Sequence, residues 1–70
     1  MKAIIQHTIQ KFIENPTDVG QFAIGRGVYI MTWDSVEKTV TIMTRPSWDI
    51  ICEGNNARIL AQHIYNHSQK

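Results

Sequence analysis

The sequence lacks a second cysteine, a long hydrophobic segment and any run of charges of one sign. Cys52 is the only cysteine, so no disulfide can form within the chain. A lone cysteine is typical of a reducing compartment. Gln6, His7 and Gln10 interrupt the apolar residues near the N-terminus, so we expect neither a signal peptide nor a membrane span there. These absences predict a cytoplasmic protein with no membrane partner.

The charge pattern also disfavours a strongly electrostatic partner. Seven basic and six acidic residues are scattered along the chain without a basic cluster. Nucleic acids and anionic membranes are usually bound by concentrated positive charge. Nucleic acid is therefore a possible but less favoured partner.

The length of the chain limits it to one domain, residues 1–70. A domain this small buries a modest share of its surface and often gains stability from a disulfide, a metal or a second subunit. Because a disulfide is excluded, the size favours association with another protein or with a second copy.

Apolar periodicity predicts a helix near each end of the chain. Asn15-Pro16 should end the first helix, because the residue before a proline is pushed out of helical geometry. Gly54-Asn55-Asn56 supplies a turn and an N-cap before the second. The apolar faces consist of Ile5, Ile9, Phe12 and Ile13 in the first helix, and Ala57, Leu60, Ala61, Ile64 and Tyr65 in the second.

The segments between the helices favour β-strands. Residues 28–34, 39–45 and 48–53 are rich in apolar and β-branched side chains. Gln21–Ile24 is a further short candidate, after a loop at residues 17–20 and before a turn at Gly25-Arg26-Gly27. The predicted fold class is α+β: a helix, three or four antiparallel strands in a meander, and a helix. Both helices should pack on one face of the sheet, since so small a sheet cannot support two cores.

One turn in the sequence sets the strand register. The segment WDSVEKTVTI resembles the second hairpin of the immunoglobulin-binding domains of streptococcal protein G, in the order aromatic-Asp-x-x-x-Lys-Thr-apolar-Thr-apolar. The resemblance implies a turn and no function. With residues 35–38 as the loop, Asp34 faces Thr39. This register places Tyr29, Met31, Trp33, Val40 and Ile42 towards the helices, and Val28, Ile30, Thr32, Thr41, Met43 and Arg45 on the opposite face.

That opposite face is the main functional candidate, together with Ile59, which projects away from the apolar side of the second helix. A contiguous apolar patch on a small domain often marks an interface. The alternative is that a loop, a tail or the strand at 21–24 covers it. We therefore expect a non-catalytic adaptor, inhibitor or regulator, of a size known from bacteria and phages. It would bind another protein, or itself as a homodimer, through the free sheet face or a strand edge.

Chemical motifs give little support for catalysis. His63 and His67 have the i, i+4 spacing of a metal pair, but no third ligand follows from the sequence. Cys52 lies in an apolar strand, where cysteine is usually unreactive. We expect no enzymatic activity, no cofactor and no metal.

Two nucleic-acid-binding hypotheses are the alternative to protein binding. The segment FAIGRGVYIMTWDSV fits a helix-turn-helix pattern, with Val28 and Trp33 buried in a recognition helix, although its residues prefer strands. The helix-strands-helix order is also similar to that of double-stranded-RNA-binding domains. Their last helix begins with lysines, whereas GNNARILAQ offers only Arg58.

Overall fold

Two helices pack against one face of a four-stranded antiparallel sheet in the computed structural model, which describes residues 2–69. The strands lie in the order β1-β2-β3-β4, so the sheet is a meander. In chain order the elements are α1 (Lys2–Glu14), β1 (Val19–Ile24), β2 (Gly27–Asp34), β3 (Thr39–Arg45), β4 (Ile50–Gly54) and α2 (Ala57–Ser68). The predicted α+β class and element order are confirmed.

The hydrophobic core lies between the helices and one face of the sheet. Its strand residues include Tyr29 and Met31 from β2 and Val40 and Ile42 from β3, all nearly inaccessible to solvent. Trp33 packs at the margin of the same core. The predicted helix-facing side of the sheet is therefore correct. The helices contribute Ile5, Ile9 and Phe12 from α1, and Ala57, Leu60, Ala61 and Ile64 from α2.

The β2-β3 hairpin has the register that its turn predicts, with Asp34 opposite Thr39. The Asp34 carboxylate accepts hydrogen bonds from the backbone N–H groups of Val36 (2.9 Å) and Glu37 (3.1 Å). Lys38 adopts a left-handed conformation (φ 60°), and its N–H donates to the Asp34 carbonyl at 2.8 Å. The side chain of Asp34 therefore closes the loop locally and fixes the pairing of every residue after it.

β1 is longer than the sequence predicts. It begins at Val19, so the predicted loop at residues 17–20 is wrong for Val19 and Gly20. Gly20 pairs with Met31 and faces α1. An added Cβ would lie 2.9 Å from the Phe12 ring and from the Met31 methyl group. Glycine at this position therefore allows α1 to contact the edge of the sheet.

The helix-turn-helix hypothesis is wrong, because residues 19–34 form a β-hairpin. Its turn contains Gly25 in a left-handed conformation (φ 58°) and lies between Ile24 and Gly27. The β-branched and aromatic side chains of this segment follow their strand propensity.

β4 begins at Ile50, so the predicted strand at 48–53 is wrong at its start. Trp48 has a left-handed backbone (φ 62°) that a strand cannot accommodate. The pairing then shifts: Cys52 pairs with Ile42, but Ile50, two residues earlier, pairs with the adjacent Met43. Ile51 is the extra residue of this β-bulge and packs against the core. The bulge turns Ile50 to the other face of the sheet.

The second helix starts where the sequence predicts. The Asn56 side chain accepts hydrogen bonds from the backbone N–H groups of Arg58 (3.0 Å) and Ile59 (3.2 Å). These bonds satisfy donors that a helix start leaves without an intrahelical partner.

Candidate functional site

The face of the sheet opposite the helices, here called the free face, carries the six predicted sheet-face residues together. The strand register arranges the residues of this face in three rows across the sheet. The first row is Val19, Thr32, Thr41 and Glu53; the middle row is Gln21, Ile30, Met43 and Ile50; the third is Ala23, Val28 and Arg45. Both helices pack on the other side of the sheet.

The middle row is the apolar centre of the free face. Ile50 is 65 % exposed and Met43 is half-buried, whereas Ile30 is only 5 % exposed. Ile30 lies between Gln21 on β1 and Met43 on β3, which flank it in the register. Little of the Ile30 side chain is therefore left to contact a partner, although the sequence places it among the interface candidates. A partner would contact Ile50 and Met43.

Two exposed apolar residues extend this surface beyond the predicted set. Val19 is 58 % exposed at one end of the free face, and Trp48 is 54 % exposed beside its third row. The guanidinium of Arg45 lies 5.4 Å from the centre of the Trp48 ring, a cation–π arrangement. The sequence interpretation missed Val19, which it assigned to a loop, and Trp48, which it assigned to the start of a strand. The alternation of side chains along β4 could not predict that Ile50 lies on the free face, because the bulge at Ile51 shifts that alternation by one residue.

The free face carries opposite charges at its two ends. Arg45 ends the third row, and Glu53 ends the first. The hydroxyl of Thr41 donates a hydrogen bond to the Glu53 carboxylate at 3.0 Å, which holds the carboxylate beside β3. Thr41 and Arg45 are separated along β3 by about 13 Å, from a rise of ~3.3 Å per residue. The middle row, which is apolar except for Gln21, thus lies between a cationic end and an anionic end.

The seventh predicted interface residue, Ile59, does not lie with the others. It is 55 % exposed on α2, on the helical side of the molecule. There it borders a shallow cleft of about 320 Å³ between the helices. Lys2 donates a hydrogen bond to the Gln62 side chain across this cleft at 2.7 Å. The lining residues are Lys2, Gln6, Arg58, Ile59, Gln62 and His63, of which none is acidic.

The two histidines of the i, i+4 pair have different surroundings. His63 lines the cleft, whereas His67 lies with its Nδ1 atom 2.9 Å from the Tyr29 hydroxyl and its ring edge-to-face with the Tyr29 ring. Burial raises the pKa of Tyr29, so its hydroxyl stays protonated and can donate to His67. Within residues 2–69, no three His, Cys, Asp or Glu side chains are grouped closely enough to hold a metal ion.

Cys52 faces the core side of β4. Its thiol lies 3.9 Å from the Leu60 carbonyl oxygen, a weak hydrogen bond. Burial raises the pKa of the thiol from 9.0 to about 11. Since only the thiolate is a strong nucleophile, this environment suppresses its reactivity.

The edges of the sheet are a second kind of candidate surface. β1 and β4 are the edge strands. β4 has five residues and contains the bulge, both of which discourage pairing with another strand. β1 (VGQFAI) has six residues and carries neither a charge nor a proline. β1 is therefore the edge that could accept a further strand.

Neither α1 nor α2, nor any other helical segment within residues 2–69, combines the length and apolar character needed to cross a membrane. Comparisons of the chain with protein-family models, with curated proteins and with solved structures find no match. The surfaces of the chain itself are therefore the basis for inferring its function.

Proposed function

We propose that this protein is a non-catalytic protein-binding domain, an adaptor, inhibitor or regulator, whose contact surface is the free face. The observation that carries the proposal is Ile50, which is 65 % exposed beside Met43 in the middle row of the sheet face opposite the two helices. Exposed apolar patches on small domains are commonly binding surfaces.

The energetic argument concerns the exposed side chains of this face. Fully burying an isoleucine is favourable by roughly 1.5–3 kcal/mol, so covering the exposed part of Ile50 would contribute about 1–2 kcal/mol to binding. Trp48 and Val19 are also more than half exposed. Aromatic residues at such positions frequently dominate the energy of an interface. The free face therefore offers several anchors to one partner.

The proposed location is the cytoplasm. It is supported by the single cysteine, Cys52, which is free. Proteins of reducing compartments keep their thiols unpaired.

The test compares Ile50→Lys with Ile4→Lys, a matched control. Ile4 is 70 % exposed on α1, so both changes place a lysine at an exposed isoleucine, on opposite sides of the molecule. Each variant is produced in and purified from the protein's native host cells at low salt, so that natural partners are retained. Its complexes are then measured by light scattering and cross-linking. We expect Ile50→Lys to lose the complexes that the native protein and Ile4→Lys form. Equal binding by both variants would show that the free face is not the contact surface.

A second candidate function, nucleic-acid binding, is favoured by the cleft between the helices. The cleft places Arg58 of α2 with Lys2 of α1, two groups that lie far apart in the sequence. The positive charges of these two side chains would suit a phosphate backbone. Arg58→Glu should then abolish gel retardation of double-stranded RNA or DNA at low salt, while Arg45→Glu on the opposite face should not. No retardation by the native protein at low salt would exclude this function.

A further inference from the structure

We infer that the partner of the free face is a second copy of this chain, packed sheet against sheet with the strands of the two copies antiparallel. This inference rests on the proposed function, in which the free face is the contact surface. It adds the identity of the partner and the orientation in which it binds. The resulting dimer would have four layers, with the helices outside and two sheets in contact at its centre.

The geometry follows from a two-fold axis that runs along the middle row, across the strands. Rotation about this axis lays each strand on its own counterpart and reverses its direction. Met43 and Ile50 then meet the same residues of the other copy, so apolar side chains cover one another. Packed sheets align within about 30° of each other, so strand twist does not prevent this arrangement.

The same rotation makes the charges complementary. Arg45 and Thr41 lie equally far from Met43 along β3, on opposite sides of it. Each Arg45 is therefore placed over Thr41 of the other copy, whose hydroxyl holds the Glu53 carboxylate. The contact occurs twice in the dimer, once at each end of the interface. Charges at such margins contribute mainly to the orientation of a complex.

A two-fold axis parallel to the strands is less favourable. It would lay β3 of one copy on β2 of the other and β1 on β4. Arg45 would then cover Val28, and Glu53 would cover Val19. Both charges would lose water without gaining an opposite charge, which is costly. Of these two arrangements, the first is therefore favoured; we call it the antiparallel arrangement, because each strand lies antiparallel on its own counterpart.

The size of the face indicates the strength of this dimer. Four strands ~4.8 Å apart and ~6–7 residues long cover roughly 20 × 22 Å, about 430 Å² per copy. Two copies would bury about 900 Å² or somewhat more with side-chain relief, which is below the roughly 1,200 Å² of stable specific interfaces and within the range of weak, transient ones. We therefore expect a reversible dimer with a dissociation constant in the micromolar range, roughly 1–100 μM.

The experiment reverses the two charges separately and then mixes the variants. Arg45→Glu leaves acidic side chains at both positions 45 and 53, and Glu53→Arg leaves basic side chains at both. Each pure variant should dimerise about tenfold more weakly than the native protein, because both contacts become repulsive. An equimolar mixture should restore native affinity, because every contact in the mixed dimer pairs opposite charges. Sedimentation equilibrium, with one variant fluorescently labelled, measures the dissociation constants of the pure-variant dimers and of the mixed dimer.

Matched controls reverse the charges of Lys11 and Glu14 on α1. Lys11→Glu, Glu14→Lys and their mixture should dimerise like the native protein. Two results would overturn the antiparallel arrangement: an increase in dimer affinity when the control variants are mixed, or no such increase when Arg45→Glu is mixed with Glu53→Arg. A native protein that stays monomeric at several hundred micromolar would overturn the dimer itself. The proposed function would still stand in that case if Ile50→Lys, and not Ile4→Lys, loses a different protein partner.

Discussion

Gly20 is the position where the contact between α1 and the sheet can be tested most directly. The change Gly20→Ala has two opposing effects. Restricting the unfolded chain would stabilise the native state by about 0.4–1 kcal/mol if the new methyl group fitted. However, the new Cβ would lie 2.9 Å from two atoms of the Phe12 ring and 2.9 Å from the Met31 methyl group. The Met31 terminus can rotate away, whereas the buried Phe12 ring can move only with α1.

Overpacking of this kind costs about 1–3 kcal/mol, which exceeds the entropic gain. We expect a net loss of roughly 1–2 kcal/mol, with a fall in Tm of about 5–15 °C for a domain of this size. Urea unfolding followed by tryptophan fluorescence and thermal unfolding followed by circular dichroism both measure it. A Gly20→Ala variant as stable as the native protein, or more stable, would refute the close contact of α1 with β1.

A double variant separates this contact from a general strand effect. Phe12→Leu replaces the ring with a smaller side chain and should cost stability in the native background. In the Gly20→Ala background the same change should cost less, because it makes room for the new methyl group. The two changes should therefore be non-additive, with a coupling of about 1 kcal/mol in the direction of rescue. Strict additivity would assign the loss to the backbone of β1.

Two further predictions concern Ile30 and Cys52. Ile30→Lys should lower the free energy of unfolding, measured in urea, by about 2 kcal/mol or more, because the side chain is enclosed. Ile50→Lys should change it by at most ~0.5 kcal/mol. Equal losses of unfolding free energy in the two variants would contradict the packing of the middle row. Cys52 should react with iodoacetamide about a hundredfold more slowly than an ordinary thiol at pH 8, because raising its pKa from 9.0 to about 11 reduces the thiolate fraction by that factor. The rate, followed by mass spectrometry, should rise as the pH approaches 11, and a fast reaction at pH 8 would contradict the burial of the thiol.

The predictable parts of this fold depend on local chemistry. The β2-β3 register follows from a turn in which Asp34 bonds to the next backbone N–H groups, and the start of α2 follows from the Asn56 cap. Both signals act within a few residues. The apolar sides of the helices follow from spacing alone, since a surface helix must bury one face.

The less predictable parts depend on residues that are distant in sequence. The burial of Ile30 requires Gln21 and Met43 on the neighbouring strands, and no pattern within β2 reports them. The cleft combines Lys2 with Arg58 from the other end of the chain. The pairing of Thr41 with Glu53 requires the register of β4, which the bulge alters. The candidate site could therefore be placed on the correct face from the sequence, but its exposed members could not be chosen.

The bulge at Ile51 makes the division of isoleucines between the core and the surface depend on the number of residues in β4. Deleting Ile51 would return β4 to regular alternation and keep Ile50 opposite Met43, with no extra residue between Ile50 and Cys52. Ile50 and Cys52 would then be neighbours in the chain, and neighbouring strand residues point to opposite faces. Cys52 would face the core and Ile50 would face outward. No isoleucine would then fill the place of Ile51 in the core. A single-residue deletion would thus keep Ile50 on the free face while the core loses Ile51. The extra residue therefore lets this short strand supply one isoleucine to the core and another to the free face.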